Sequence, residues 1–558
     1  MQGMGESTGR DVLLEVLRTE GVRHVFGNPG STELPLIDAL ATADDLHYVL
    51  ALQEATAVGM ADGYAQASGR PSFLNLHTSA GLGNAIGNLT NARANGAPIV
   101  VTAGQQHTAH LAADPLLSGD LVGLARATVK WAHEVRSLGE LGTVLRRAFH
   151  DAAAPPSGPV FTSIRMDTLD EAGAPPVPPP SRIDHHAAAG ALGGLEELAD
   201  LLTGPGTGHV AIVVGDEVAA TGAIDEAVAL AEALGAPVLG APLHSTAVFP
   251  PAHPLWEGML PPAARAINAK LQPFERVLLV GGQAFLVYPY TSGSPVPDGV
   301  ELLHIAPDAG ALARAHPTRL ALSGDPKATL AALLPLVRAR ADATAAGELL
   351  DDARTRRRTD IDKLEQAALD RYPNVPIDPM AAAHALVRAL PSGTAVVDEA
   401  ITTGVYVRGF HHDAVGAGYF FCKGGGLGWG MPAACGVSLA RDKAPVLCAV
   451  GDGSAMYSPQ ALWTAAHEQL PVVFAIVNNR QYRILKDNLR GMGGDSVRAG
   501  RFVAMDLVDP PIDYVALAGS MGVGATLVER AADIADAVRA AIDAGKPHLL
   551  ELPISAPE

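Results

Sequence analysis

Short runs of β-branched and aliphatic residues alternate with longer Ala- and Leu-rich stretches along this chain, and this alternation restricts its fold more than any other feature. Such a pattern is expected when parallel strands are joined by crossover helices. It predicts an α/β fold built on doubly wound, mainly parallel sheets. Residues 209–215 precede a helical run at 223–234, and 277–282 and 301–305 read as further strands. Late in the chain, 394–398, 445–450, 472–477 and 548–552 have the same strand character. Ligands of such sheets bind beyond the carboxyl ends of the strands, so the residues that follow these runs matter most.

Two breaks divide the chain. Ala174-Pro175-Pro176-Val177-Pro178-Pro179-Pro180-Ser181 is a semi-rigid extended linker, because successive prolines remove amide donors and fix φ. Residues 340–365 are Ala-rich and then densely charged, which reads as a solvated connecting helix. The expected modules are 1–180, 190–340 and 360–558. With 48% hydrophobic and 18% charged residues, the chain has ample material for their cores. Acids outnumber bases 59 to 40, for a net charge of −19, which argues against nucleic acid and anionic membrane surfaces as partners. Cys422, Cys435 and Cys448 support neither a disulfide framework nor a thiolate zinc site. Residues 1–10 lack the basic-then-apolar order of a leader, and no apolar run reaches the roughly 18 residues of a membrane span. A soluble, cytoplasmic protein is expected.

Gly451-Asp452-Gly453-Ser454 follows the strand at 445–450 and presents a carboxylate at its tip. Ser458 then reads as an N-cap, with Pro459 at the first helical position, before a strand that delivers Asn478-Asn479. In a right-handed βαβ unit both strand ends lie on one edge, so Asp452 and Asn479 can converge. A carboxylate, an amide oxygen and a nearby main-chain carbonyl are hard donors suited to Mg²⁺ that also holds a diphosphate. Taken singly, these segments read as a Gly-Asp-Gly turn and an Asn-rich strand end. Neither G-x-x-x-x-G-K-[ST] nor G-x-G-x-x-G occurs.

The joint pattern resembles the signature of the thiamine-diphosphate-dependent decarboxylases and carboligases, and is nearest to their benzoylformate decarboxylase branch. The likeness extends over Val25-Phe26-Gly27-Asn28-Pro29-Gly30-Ser31, Asn75-Leu76-His77-Thr78-Ser79-Ala80-Gly81, Val101-Thr102-Ala103-Gly104-Gln105-Gln106 and Ala461-Leu462-Trp463-Thr464-Ala465-Ala466. It implies a pyrimidine-binding first module, a mainly structural middle module and a diphosphate-binding last module. The implied cofactors are thiamine diphosphate and Mg²⁺, with Asp452, the Asn479 side chain and the main-chain oxygen of Gln481 as metal ligands. Gly451, Gly453, Ser454 and Tyr482 would adjoin the cofactor, and Leu427, in Gly424-Gly425-Gly426-Leu427-Gly428, would prop it in a bent conformation.

Glu54 ends an apolar strand and begins an Ala-rich helix, where an acid also suits the helix dipole. The resemblance makes it the carboxylate that hydrogen-bonds a pyrimidine nitrogen, and apolar neighbours would suit that role. Ser31 is implied to orient the substrate carboxylate, although it equally reads as a cap for a helix near Glu33. His77 is implied to participate in proton transfer. Two departures concern the substrate. Tyr288 stands where the branch carries a second catalytic histidine, and Arg480 to Asn488 is bulkier and more polar, with Arg480 and Lys486 also readable as solvated helix charges.

The expected activity is non-oxidative decarboxylation of a small-molecule 2-keto acid, aromatic and benzoylformate-like, to an aldehyde and CO₂. The alternatives are an acetolactate synthase-like carboligase, a 2-hydroxyacyl-CoA lyase-like enzyme, or a non-catalytic thiamine-diphosphate-binding protein. The resemblance also implies a homodimer or homotetramer with active sites at the subunit interface.

Overall fold

The computed structural model describes residues 6–181, 192–204, 209–283, 285–411 and 418–556. Its contacts define two compact units. The first comprises Met1–Arg182, Tyr372–Val407 and Cys422–Glu558, and the second Ile183–Arg371 and Arg408–Phe421.

The first unit contains two parallel sheets. In one, β1 (His24–Gly27), β2 (His47–Leu50), β3 (Ser72–Leu76), β4 (Ile99–Gln105), β5 (Ala132–Glu134) and β6 (Val160–Arg165) lie in the order β2-β1-β3-β4-β6-β5. Every residue of β3 and β4 is buried, the polar Ser72, Asn75, Thr102 and Gln105 included, so neither strand shows the in–out alternation of a half-exposed one. The order reverses about β1, so the carboxyl ends of β1 and β3 flank a topological switch point, the crevice where such sheets bind ligands. In the other sheet, β13 (Ala395–Glu399), β15 (Val446–Gly451), β16 (Val472–Asn478), β18 (His548–Pro553) and β17 (Gly524–Leu527) follow one another in that order.

The second unit holds the sheet β12-β11-β10-β7-β8-β9, from β7 (Val210–Val214), β8 (Val238–Gly240), β9 (Trp256–Met259), β10 (Arg276–Val280), β11 (Glu301–Ala306) and β12 (Leu320–Ser323). Short strand β14 (Tyr419–Phe421) is not part of that sheet but lies in the segment assigned to this unit, with Phe420 in an isolated antiparallel bridge to Thr246. The charged connector is a 27-residue helix, Ala343–Leu369, that buries only Ala346, Ala353 and Ala368. The three sheets are those expected of doubly wound α/β modules.

Within the first unit, helix Glu54–Ser68 packs on helix Gly430–Ala440 backbone to backbone. A Cβ on Gly63 would fall on the carbonyl of Ala433, and one on Gly436 on the carbonyl of Met60. Trp429 anchors the joint by donating its indole N–H to the fully buried Asp62 carboxylate at 2.7 Å. Gln66 and Asn95 also donate to Asp62, while burial pushes its pKa up to about 6.

One expected cap is corrected. The helix after Asp452 is Ala461–His467, with Gln460 at its N-cap. Ser458 instead donates its hydroxyl to the Gly428 carbonyl at 2.7 Å, and no side chain caps the amides of that helix. All three cysteines are buried, and burial raises their thiol pKa values. Among the described residues, no helix is long and apolar enough to cross a membrane.

Candidate active site

Asp452 begins a short turn of helix directly after β15, and β16 delivers Asn478 and Asn479 beside it, Gly451 pairing in register with Val477. Burial pushes the Asp452 pKa up to about 6, against the pull of the Gly453, Arg480 and Gln481 amides. Its Oδ1 accepts from Gly453 N–H at 2.9 Å, whereas Oδ2 is buried with no hydrogen-bond partner among the described residues. An orphaned carboxylate oxygen is costly unless something else satisfies it. The donor set around it fits a hard cation. Asn479 Oδ1 accepts from Gln481 N–H at 3.1 Å and the Gln481 carbonyl from Arg483 N–H at 2.9 Å, so each oxygen retains a lone pair. Tyr514 donates to the Asp452 carbonyl at 2.9 Å, and the Tyr482 ring closes over Gly453, fixing the turn from two sides. Ser454 is buried in the same turn.

The second cluster surrounds the switch point of the first sheet. Glu54 is the first residue of its helix and nearly buried. Asn84 Nδ2 donates to Oε2 at 3.1 Å and Asn28 Nδ2 to Oε1 at 3.4 Å. A carboxylate pressed into this crowded helix–strand junction is held by neutral donors that fix its direction without supplying a counter-charge.

His77 follows β3 and occupies the N-cap of helix Thr78–Asn95. Its Nδ1 lies 2.8 Å from Glu33 Oε2 and 3.2 Å from the Thr32 hydroxyl. Glu33 is itself buried, and its Oε1 accepts from Gly104 N–H at 2.9 Å and from Thr32 at 2.7 Å. With Nδ1 committed to a carboxylate, Nε2 is the ring atom left to face a ligand. Ser31 opens the one-turn 3₁₀ segment Ser31–Glu33, whose N-cap is Gly30, and the next helix is capped by Glu33. Ser31 is therefore not the cap that its sequence position also allowed. Its hydroxyl is exposed on the same loop that supplies Glu33.

Leu427 is half-buried in the glycine-rich loop that precedes helix Gly430–Ala440. Tyr288 belongs to the second unit and is 65% exposed. Lys486 is not a solvated helix charge: it is 8% exposed, its Nζ bonds Asp506 Oδ1 at 2.5 Å, and it lies over the Phe502 ring. Arg480, by contrast, is exposed.

Several residues around these clusters escaped sequence reasoning. Glu33 bonds partners 44 and 71 positions away, so no local pattern marks it. Asn84, Asn88 and Asn91 recur at helical spacing along one face, a periodicity that is legible in the sequence. Glu399 directly follows the strand predicted at 394–398, where functional residues were expected.

The chain belongs to the thiamine pyrophosphate enzymes. Residues 7–124 match their N-terminal TPP binding domain, 195–333 their central domain and 411–552 their C-terminal TPP binding domain. It is 34% identical to benzoylformate decarboxylase of Pseudomonas aeruginosa over 552 residues, 97% of each chain. A solved thiamine diphosphate-dependent 4-hydroxybenzoylformate decarboxylase of Rhodococcus jostii superposes with a TM-score of 0.86 at 32% identity, covering 99% of this chain and 100% of that one. Acetolactate synthase isozyme 3 large subunit of Escherichia coli is 28% identical over 530 residues, 92% of this chain and 88% of that one.

Proposed function

We propose that this protein is a thiamine-diphosphate- and Mg²⁺-dependent carboxy-lyase that converts an aromatic 2-keto acid of the benzoylformate type to an aldehyde and CO₂. The observation that carries this reading is the pair of acids around the β1–β3 switch point. Glu54 is aimed by two asparagine amides, and His77 is oriented by buried Glu33, in a chain related to aromatic keto-acid decarboxylases along its whole length.

When bound, thiamine diphosphate supplies an electron sink for the carbon that loses CO₂. The chain's own residues position groups and manage protons. Asp452, the Asn479 amide oxygen and the Gln481 carbonyl hold Mg²⁺, and Gly451, Gly453, Ser454 and Tyr482 line the diphosphate. Leu427 would support the cofactor's ring system. Glu54 hydrogen-bonds the pyrimidine and holds a proton there. Ser31 orients the substrate carboxylate, and His77 moves a proton at Nε2. Tyr288 serves later proton donation, for which a phenol with a reference pKa of about 10 is a weaker acid than imidazolium.

The smallest active unit is a homodimer, and a homotetramer is its natural extension. The domain limits are taken as 1–180, 190–340 and 360–558.

The test supplies benzoylformate, thiamine diphosphate and Mg²⁺ and measures benzaldehyde and CO₂. Absence of aldehyde across a panel of aromatic and aliphatic 2-keto acids would overturn the reading. The relation to acetolactate synthase favours carboligation as a second activity, detected by adding an acceptor aldehyde and analysing for hydroxyketone.

A further inference from the structure

The loop that carries Leu427 is held from two directions. On one side the Asn91 carboxamide, on helix Thr78–Asn95, closes a two-bond ring on Gly426. Oδ1 accepts from Gly426 N–H at 3.0 Å, and Nδ2 donates to Gly426 O at 3.0 Å. The same Nδ2 donates to Asn88 Oδ1 at 2.8 Å, and Asn88 Nδ2 donates to the carbonyl of Ala55, the neighbour of Glu54, at 2.7 Å. On the other side the buried Glu399 carboxylate accepts from the amides of Gly428, Trp429 and Gly430 at 2.7, 3.4 and 2.6 Å. Leu427 thus stands between two neighbours whose peptide groups are both fixed.

Asn88 and Asn91 are buried among Leu82, Ala85, Leu89 and Ala92. An apolar residue would dock this helix at lower cost, since buried carboxamides are tolerated only when every polar atom is partnered. What the carboxamides add is direction. A Cβ on Gly426 would lie 2.8 Å from Asn91 Oδ1, so the loop and the carboxamide fit without slack.

We propose that Asn91 is a positioning residue for the cofactor, fixing through Gly426 the height at which Leu427 stands, with Glu399 as the opposing clamp. The assignment rests on the reading of Leu427 as the side chain beneath thiamine diphosphate. Asn91 touches no reacting atom and acts only through the loop.

Asn91→Asp keeps the shape and the acceptor for Gly426 N–H but sets a carboxylate oxygen against Gly426 O and Asn88 Oδ1. Holoenzyme without substrate gives two readouts, deuterium exchange of the thiazolium carbon-bound proton and amide exchange of the peptide spanning 422–430. In the variant that peptide should exchange faster and the thiazolium proton more slowly, by about tenfold or more. The kcat should fall in step while KM for the keto acid changes by less than about threefold. Gly426→Ala displaces the loop while keeping Asn91 and should have the same effect; if Asn91→Asp fails to fold, Gly426→Ala decides alone. Wild-type thiazolium exchange in a folded variant that binds cofactor would overturn the proposal. Wild-type enzyme that exchanges the proton without decarboxylating any keto acid would overturn the proposed function and leave the positioning role standing. A wild-type chain that binds no thiamine diphosphate would overturn both.

Discussion

Glu33 Oε2 lies 2.8 Å from Nδ1 of His77, so a buried carboxylate sets the tautomer and the plane of the imidazole proposed to handle the substrate's proton. The relationship is one of orientation. Glu33 is itself pinned by Gly104 N–H and the Thr32 hydroxyl, and it cannot follow the ring if the ring turns.

Glu33→Gln keeps the size and one acceptor but removes the charge that selects Nδ1–H. We expect kcat to fall by about ten- to a hundredfold with little change in KM, because the lost function belongs to proton transfer rather than binding. Steady-state kinetics with benzoylformate check this; an unchanged kcat would dismiss the orienting role.

Gly81 faces Glu54 from the next helix. A Cβ there would meet Glu54 Oε1 at 3.1 Å and the His77 Cβ at 3.3 Å. Gly81→Ala should therefore cut turnover by about tenfold or more through misplaced acids. Gly83→Ala, in the same helix with open space around it, should instead raise stability by about 0.5–1 kcal/mol and leave turnover alone. Paired activity and thermal-melt measurements separate the two.

Asp452→Asn removes the charge whose Oδ2 has no hydrogen-bond partner among the described residues. Mg²⁺-dependent cofactor binding should weaken by at least about tenfold, ~1.4 kcal/mol. The melting temperature of the cofactor-free protein should hold or rise, since a buried, unpaired charge has been relieved. Calorimetric titration and thermal unfolding read the two effects independently.

His24 supplies a pH test of the first sheet. Burial drives its pKa down to about 4, with nearby His47 adding to the effect and Glu468 opposing it; Arg23 and Lys443 also lower it. Nδ1 is buried without a hydrogen-bond partner among the described residues, and the ring is edge-on to Tyr64. The unfolded value is about 6.5, so between the two values the unfolded chain binds the extra proton. Its contribution to stability is complete above about pH 6.5 and is lost as pH falls toward 4. His24→Phe should flatten the dependence of the unfolding midpoint over this range; an identical slope would remove His24 as its source.

The strand at 472–477 was legible because β16 is covered on both faces and its sequence is therefore apolar up to Asn478. Asp452 and Asn479 were legible because a parallel βαβ unit brings consecutive strand ends together whatever lies between them. Glu33 was not, because its partners reach it only after the first sheet has assembled. Ser458 and Lys486 failed for the same physical reason. A hydroxyl that reads as a cap and an ammonium that reads as solvated each found a tertiary partner, Gly428 O and Asp506, that local rules do not see.

The seam where Gly63 meets Ala433 and Gly436 meets Met60 has no side-chain layer to rearrange. Any added atom there displaces main chain, so this part of the molecule has almost no evolutionary room. Divergence toward new keto acids is accordingly channelled outward, to side-chain-rich segments such as Arg483–Met492. A randomised library aimed at new substrates belongs there, with the glycine seam left untouched.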